Sequence, residues 1–108
     1  MRILVLTWRD LAHEAAGGAE VYTEQVTRRW AAAGHDVTLF AAAVPGRPAD
    51  EMVDGYRVVR RGGRLTVYRA ARTWYAENGH GEFDVVIDMV NTVPFRAHQW
   101  IKDTPVIA

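Results

Sequence analysis

Two short, continuous apolar runs constrain the fold of this chain more than any other feature. Residues 3–6 read Ile-Leu-Val-Leu, and residues 85–87 read Val-Val-Ile within a longer run over 83–90. Neither run alternates polar with apolar residues, which is typical of strands buried on both faces, as in a parallel sheet. Because helices must cover both faces of a parallel sheet, the chain is predicted to adopt an α/β fold.

The remaining elements follow from helical spacing and from glycine and proline signals. Strands are predicted over 2–7, 36–43, 56–60, 83–90 and 104–108, and helices over 19–33, 65–77 and 95–101. Gly34 stands where a helix C-cap glycine belongs. The stretch 44–54 contains Pro45 and Pro48 and is predicted to be a surface loop. This order predicts a Rossmann-like, three-layer α/β/α fold with a mostly parallel sheet, which binds ligands at the carboxyl ends of its strands.

The first predicted helix carries an apolar stripe at helical spacing. Five residues share this face and are expected to be buried: Ala19, Tyr22, Val26, Trp30 and Ala33. Glu20, Glu24 and Arg28 lie away from the stripe, and Glu24 and Arg28 have the spacing and polarity of a surface ion pair. The pattern predicts an amphipathic helix that packs this stripe against the sheet.

Composition excludes several classes of protein. The 108 residues include 13 Lys and Arg, 13 Asp and Glu, and no cysteine. A neutral balance lacks the electrostatic footprint of a nucleic-acid binder, so no nucleic-acid partner is expected. The lack of cysteine excludes disulfides, cysteine-ligated zinc and a cysteine nucleophile. No apolar run is long enough for a transmembrane segment and no signal peptide is recognisable, which favours a cytoplasmic location.

A glycine pair before the first helix is the first candidate for a binding site. Gly17 and Gly18 precede Ala19, and glycine lets backbone amides approach a ligand without an intervening Cβ. Free amides and the helix dipole favour an anion here, and phosphate is the natural ligand. The alternative is a plain turn that needs positive φ. The chain contains neither a P-loop motif nor a G-x-G-x-x-G motif. This argues against a P-loop nucleoside triphosphatase and against a dinucleotide-binding site.

Polar side chains cluster in the loop before this glycine pair. The loop carries Arg9, Asp10, His13 and Glu14, which are candidates to contact a hydroxylated ligand. The alternative is a solvated loop. A metal site would need Asp10, His13 and Glu14 to converge, which loop residues rarely do unaided, so no metal is predicted.

A second polar group follows the run over 83–90. Asp88 lies near the carboxyl end of the predicted strand, and Asn91 follows it. Both are candidates to hydrogen-bond sugar hydroxyls, and Asp88 could also act as an acid or base. The alternative is that both satisfy backbone groups of a turn, as Asx residues commonly do.

Together these stretches resemble the N-terminal part of family 4 glycosyltransferases of the GT-B fold. The residues that carry the resemblance lie at 2–6, 17–22, 28–39, 54–59 and 84–95, in the family's order and spacing. The resemblance implies a partial, acceptor-side N-terminal domain over 1–108, without the donor domain. It implies transfer of a sugar from a nucleotide-sugar donor with retention of configuration, and no essential metal or cofactor.

The resemblance also assigns roles to candidate residues. The family's glycine loop lies against the donor phosphates and the acceptor, and it maps onto Gly17 and Gly18, while the segment from Asp88 to Phe95 would line the cleft. No catalytic residue is assigned, and the chain alone is expected to be inactive. The alternatives are a free-standing ligand-binding or interaction module, self-associating through an exposed sheet edge, and another nucleotide-dependent α/β enzyme.

Overall fold

One six-stranded sheet with helices on both faces organises the fold. A computed structural model describes residues 1–9, 17–89 and 95–107. Its elements are β1 (Arg2–Leu6), α1 (Gly18–Ala32), β2 (Asp36–Ala41), β3 (Asp50–Val53), β4 (Tyr56–Arg60), α2 (Val67–Asn78), β5 (Val85–Asp88) and β6 (Val106–Ile107), with a 3₁₀ turn over Ala97–Gln99. The predicted α/β class is confirmed.

The strand order places the carboxyl ends of the five parallel strands at one edge. The order is β3-β4-β2-β1-β5-β6, and all neighbours pair in parallel except β3 and β4. Leu6 at the end of β1 pairs with Phe40 on one side and Asp88 on the other. The turns after β1, β2, β4 and β5 therefore meet at this edge, which is called the carboxyl edge below.

The prediction of a loop over 44–54 is wrong in its last third, because Asp50–Val53 is a strand. It pairs antiparallel with β4 across Asp54 and Gly55, whose φ values are 47° and 86°. Two successive positive φ values are typical of a type I′ hairpin turn, for which Asp-Gly is a strong signal. Ion pairs from Arg57 and Arg61 to Asp50, at 3.0 and 2.9 Å, hold this charged edge strand in place.

The core divides into two layers, one on each face of the sheet. Along β1, Leu4 and Leu6 belong to the cluster under α2, whereas Ile3 and Val5 belong to the cluster under α1. Both faces of this strand are covered, which is the physical reason for its unbroken apolar run. On α2, Val67, Ala71 and Trp74 lie at helical spacing and are buried.

The predicted buried stripe of α1 is wrong in part, and the side chain of Ala19 lies outside the described residues. Tyr22 is 62% exposed and Ala33 is exposed, while Val26 and Trp30 are only half-buried. Among the described side chains of this helix, the buried ones are polar: Glu20, Thr23, Glu24 and Thr27. The buried face lies about one residue, or roughly 100° of helix rotation, from the predicted one. Burial of Glu20 is possible because the helix start supplies its partners, as described below.

The end of α1 confirms one smaller prediction. Gly34 has φ of 98° just beyond the C-cap Ala33, which confirms its predicted role at the end of α1. No helix in the described part of the chain is long and apolar enough to cross a membrane.

Candidate functional site

The carboxyl edge brings together some of the predicted site residues. Arg9 follows β1, Gly17 and Gly18 begin α1, and Asp88 ends the neighbouring β5. Asp10, His13, Glu14 and Asn91 lie outside the described residues, and so does the side chain of Ala19. The geometry of the edge therefore rests on Arg9, the glycine pair, Asp88 and a residue that sequence reasoning placed elsewhere, Glu20.

Neither glycine of the pair is required by the backbone. Gly17 is extended, with φ of −141° and ψ of −153°, and neither Gly17 nor Gly18 has a positive φ. Among the described residues, a Cβ added at Gly18 would meet nothing within 4 Å, and one at Gly17 would meet only the Glu20 Oε2 atom at 3.8 Å. The alternative of a turn that needs positive φ is therefore wrong.

Glu20 is the residue that the sequence analysis missed. Its side chain is only 2% exposed, and the Arg9 Nε atom donates a hydrogen bond to Oε1. The Gly17 amide donates to Oε2 at 2.8 Å. The signal that could have found it is its spacing, because a Glu three residues after the N-cap commonly accepts from the N-cap amide.

Two opposing effects act on the Glu20 carboxyl. Burial raises its pKa, but the hydrogen bonds from Arg9 and from the Gly17 amide lower the pKa more, so that it lies below its ordinary value. Glu20 is therefore ionised at neutral pH. The Arg9 guanidinium balances its charge and lies 4.3 Å from the centre of the Trp8 ring.

The start of α1 can accept an anion. The first amides of a helix have no partner within the helix, and here Glu20 takes that of Gly17. The amides of Gly18 and Ala19 remain at the positive end of the helix dipole, beside glycines that leave room for close approach. Because the Arg9–Glu20 pair is neutral in sum, it adds no net repulsion to a phosphate group.

Asp88 anchors the chain that follows β5. It is 2% exposed, and its Oδ1 and Oδ2 atoms accept the amides of Phe95 and Ala97, each at 3.2 Å. This geometry agrees with the turn-satisfying alternative, and a contact between Asp88 and sugar stays a prediction. Burial, followed by the Asp88 charge, raises the pKa of Tyr68, whose ring lies 4.8 Å from that of Phe95.

The described residues line a cavity beside each of the two long helices. The larger, about 300 Å³, runs along α2 and reaches Arg61 and Thr66 at the carboxyl edge. The smaller, about 190 Å³, lies between α1 and β5, where Thr27 contributes a buried hydroxyl with no hydrogen-bond partner among the described residues. Over 1–9, 17–89 and 95–107, no three His, Cys, Asp or Glu residues group in a way that could hold a metal ion.

Comparison with known proteins places the chain among glycosyltransferases. The family model described as Glycosyltransferase Family 4 matches residues 16–108. The solved structure of sucrose-phosphate synthase from Thermosynechococcus elongatus is similar, with a TM-score of 0.55 and 22% identity. At that identity the likeness shows the fold alone. The match covers 80% of this chain and 26% of that chain, so this chain spans about a quarter of its length. No curated protein matches the chain.

Proposed function

This chain belongs to Glycosyltransferase Family 4, and on that basis we propose that it is the acceptor-side part of a retaining glycosyltransferase. The enzyme transfers a sugar from a nucleotide-sugar donor to an acceptor. In this proposal, residues 1–108 form part of the N-terminal domain, and a second domain outside these residues binds the donor nucleotide. The reaction uses the nucleotide-sugar as co-substrate, without a cofactor or an essential metal, and takes place in the cytoplasm.

The observation that carries this proposal is the pair of glycines before α1. The fold needs neither glycine, because both have ordinary φ values and space for a Cβ among the described residues. A requirement from outside the fold explains them, namely a ligand that approaches the backbone closely. Their place at the carboxyl edge of a parallel sheet is where ligands bind in such folds.

The glycine turn supplies electrostatic stabilisation in this mechanism. As the bond from sugar to phosphate breaks, negative charge develops on the departing phosphate. The amides of Gly18 and Ala19 donate hydrogen bonds to that phosphate, at the positive end of the α1 dipole. Arg9, Asp10, His13, Glu14, Asp88 and Asn91 are proposed to line the acceptor side of the same cleft.

A titration with pyrophosphate tests the phosphate contact. The amide resonances of Gly18 and Ala19 are expected to shift saturably as pyrophosphate is added to the isotope-labelled chain at constant ionic strength. Gly18→Ala should weaken binding at least tenfold without loss of stability, since its Cβ meets no described atom. Gly63→Ala, before α2, is the matched control and should bind as the wild type does. Equal binding by Gly18→Ala would show that this turn does not contact phosphate.

A transfer assay tests the expected inactivity of the chain alone. The purified 108 residues, incubated with radiolabelled nucleotide-sugars and simple glycoside acceptors, should give no labelled product above a boiled control. The reason is that the donor nucleotide has its site on the other domain in this proposal. Transfer by these residues alone would contradict the division of labour between domains.

Self-association is a second proposal, and it depends on β6. This strand has two residues, lies at the edge of the sheet and leaves Ile107 55% exposed. An unpaired strand edge can pair with another chain. Sedimentation equilibrium should therefore detect a dimer that Val106→Pro weakens, since proline removes a backbone donor. A monomer at every concentration would exclude the pairing.

A further inference from the structure

Glu20 differs from the other described groups at the start of α1 because it is a buried charge. Its side chain is 2% exposed although it lies in the first turn of the helix, at the carboxyl edge. Removing a carboxylate from water is unfavourable unless partners replace the water. Here Arg9 and the Gly17 amide occupy its two oxygens.

These partners lie on the two sides of residues 10–16. Arg9 belongs to the chain that leaves β1, and Gly17 is the N-cap of α1. Glu20 therefore ties the end of β1 to the beginning of α1. The Gly17 carbonyl also accepts the Val21 amide at 3.1 Å, so both sides of this residue are held.

In the turn before α2, a neutral hydroxyl accepts the amide of the glycine. The Thr66 hydroxyl, also three residues further on, accepts the Gly63 amide at 2.7 Å, and Thr66 is exposed and neutral. Capping a glycine amide thus does not require a buried charge. What Glu20 adds is a second connection, to Arg9, which joins the turn to the segment that leaves β1.

We propose that Glu20 is a positioning residue, which with Arg9 holds the Gly17–Gly18 turn so that the next amides meet the donor phosphate. This inference rests on the proposed function, because the phosphate contact gives the orientation its purpose. The proposal predicts a change in phosphate affinity opposite in sign to the change that charge alone would cause. A negative charge beside a phosphate site ordinarily weakens anion binding, so its removal should help unless the geometry it maintains matters more.

The variant Glu20→Gln separates geometry from charge. It keeps the size of the side chain but loses the charge and one acceptor oxygen. In the pyrophosphate titration, we expect the dissociation constant to rise at least fivefold, although a negative charge has been removed. We also expect hydrogen exchange at the Gly17 amide to accelerate at least tenfold. Glu20→Asp, which keeps the charge on a shorter stem, should give intermediate values and serves if Glu20→Gln does not fold.

The matched control is Glu24→Gln, one turn further along α1. Glu24 is also buried, and its carboxylate lies 4.0 Å from the Arg28 Nε atom. Removing this charge should leave Gly17 exchange and pyrophosphate affinity unchanged. The inference is overturned if Glu20→Gln binds pyrophosphate as tightly as the wild type or more tightly. Failure of the proposed function is distinguishable, since the wild-type Gly18 and Ala19 amides would then not respond to pyrophosphate at all.

Discussion

Two turns at the carboxyl edge look alike in sequence and differ in what they require. Gly17-Gly18 precedes α1 and Gly62-Gly63 precedes α2. Gly62 has φ of 76°, and a Cβ there would lie 3.0 Å from that of Ala70. The first pair has neither constraint among the described residues. The fold therefore explains Gly62 of the second pair, whereas among the described residues it requires neither glycine of the first pair.

The helices that follow these turns also differ, in the polarity of the face that each one buries. The buried face of α2 is apolar and includes Trp74 and Tyr75, whereas that of α1 is polar and includes Glu20 and Thr27. An apolar face is stabilised by removal from water, while a polar face must find partners for each buried group. We infer that α2 contributes mainly to stability, and that α1 gives up part of that contribution to hold its first turn.

The largest expected effect is on the free energy of unfolding, at the apolar buried face of α2. Trp74→Ala should lower the free energy of unfolding by about 3–5 kcal/mol, because it empties a well-packed site under α2. Trp30→Ala on α1 should lower the free energy of unfolding by about half as much, because the Trp30 side chain is only half-buried and removes less apolar area from water. Urea denaturation of both variants measures the difference. Equal losses would show that the two helices contribute alike.

The second effect separates the two glycine pairs. Gly62→Ala should lower the free energy of unfolding by about 2 kcal/mol, since alanine disfavours positive φ and its Cβ would crowd Ala70. Gly18→Ala should change it by less than about 0.5 kcal/mol, or raise it slightly through helix propensity. Urea denaturation again gives both values. A loss at Gly18→Ala as large as that at Gly62→Ala would remove the argument for a ligand.

A third, smaller effect should have the opposite sign. The Thr27 hydroxyl is buried without a partner among the described residues, so Thr27→Val should raise the free energy of unfolding by about 1 kcal/mol. Thr23, one turn earlier and equally buried, has a partner, so Thr23→Val should instead lower it. Thermal unfolding monitored by circular dichroism reports both signs. Destabilisation by Thr27→Val would indicate that its hydroxyl is satisfied.

The smallest effect is on pH dependence. The pKa of Glu20 is lower in the folded chain than its ordinary value, because the bonds from Arg9 and Gly17 outweigh burial. Its contribution to stability is therefore complete above the ordinary pKa of about 4.3 and is lost as pH falls through the folded pKa. Glu20→Gln should unfold at neutral pH more readily than the wild type and lose less stability on acidification. Parallel stability curves between pH 6 and pH 2, measured in urea, would contradict this.

Much of the fold was predictable because it depends on local sequence patterns. The parallel strands, both long helices and the Gly34 cap were predicted from apolar runs and helical spacing. β3 was missed because two prolines precede it and because its first residue, Asp50, pairs with Arg57 in β4 and with Arg61 directly after β4. The local signal for β3 is the Asp54-Gly55 pair, which favours a hairpin between two strands.

The candidate site was predictable in position but not in detail. The glycine pair and Asp88 lie at the carboxyl edge, as parallel topology requires. The role of Glu20 was missed because helical spacing alone assigns a charged residue to solvent. Its burial depends on Arg9, eleven residues earlier, and that contact forms only when the chain returns from β1 to α1.

By itself, then, the sequence determined the α/β class, the mostly parallel sheet and the family, because burial on both faces of a strand and short glycine motifs leave local signatures. Only the tertiary structure decided which face α1 buries and which of the paired glycines the backbone needs. Both depend on the space around a residue and on partners distant along the chain. Glu20 is buried only because the fold brings Arg9 to it. Gly62 is constrained by its neighbours only because the fold places Ala70 beside it.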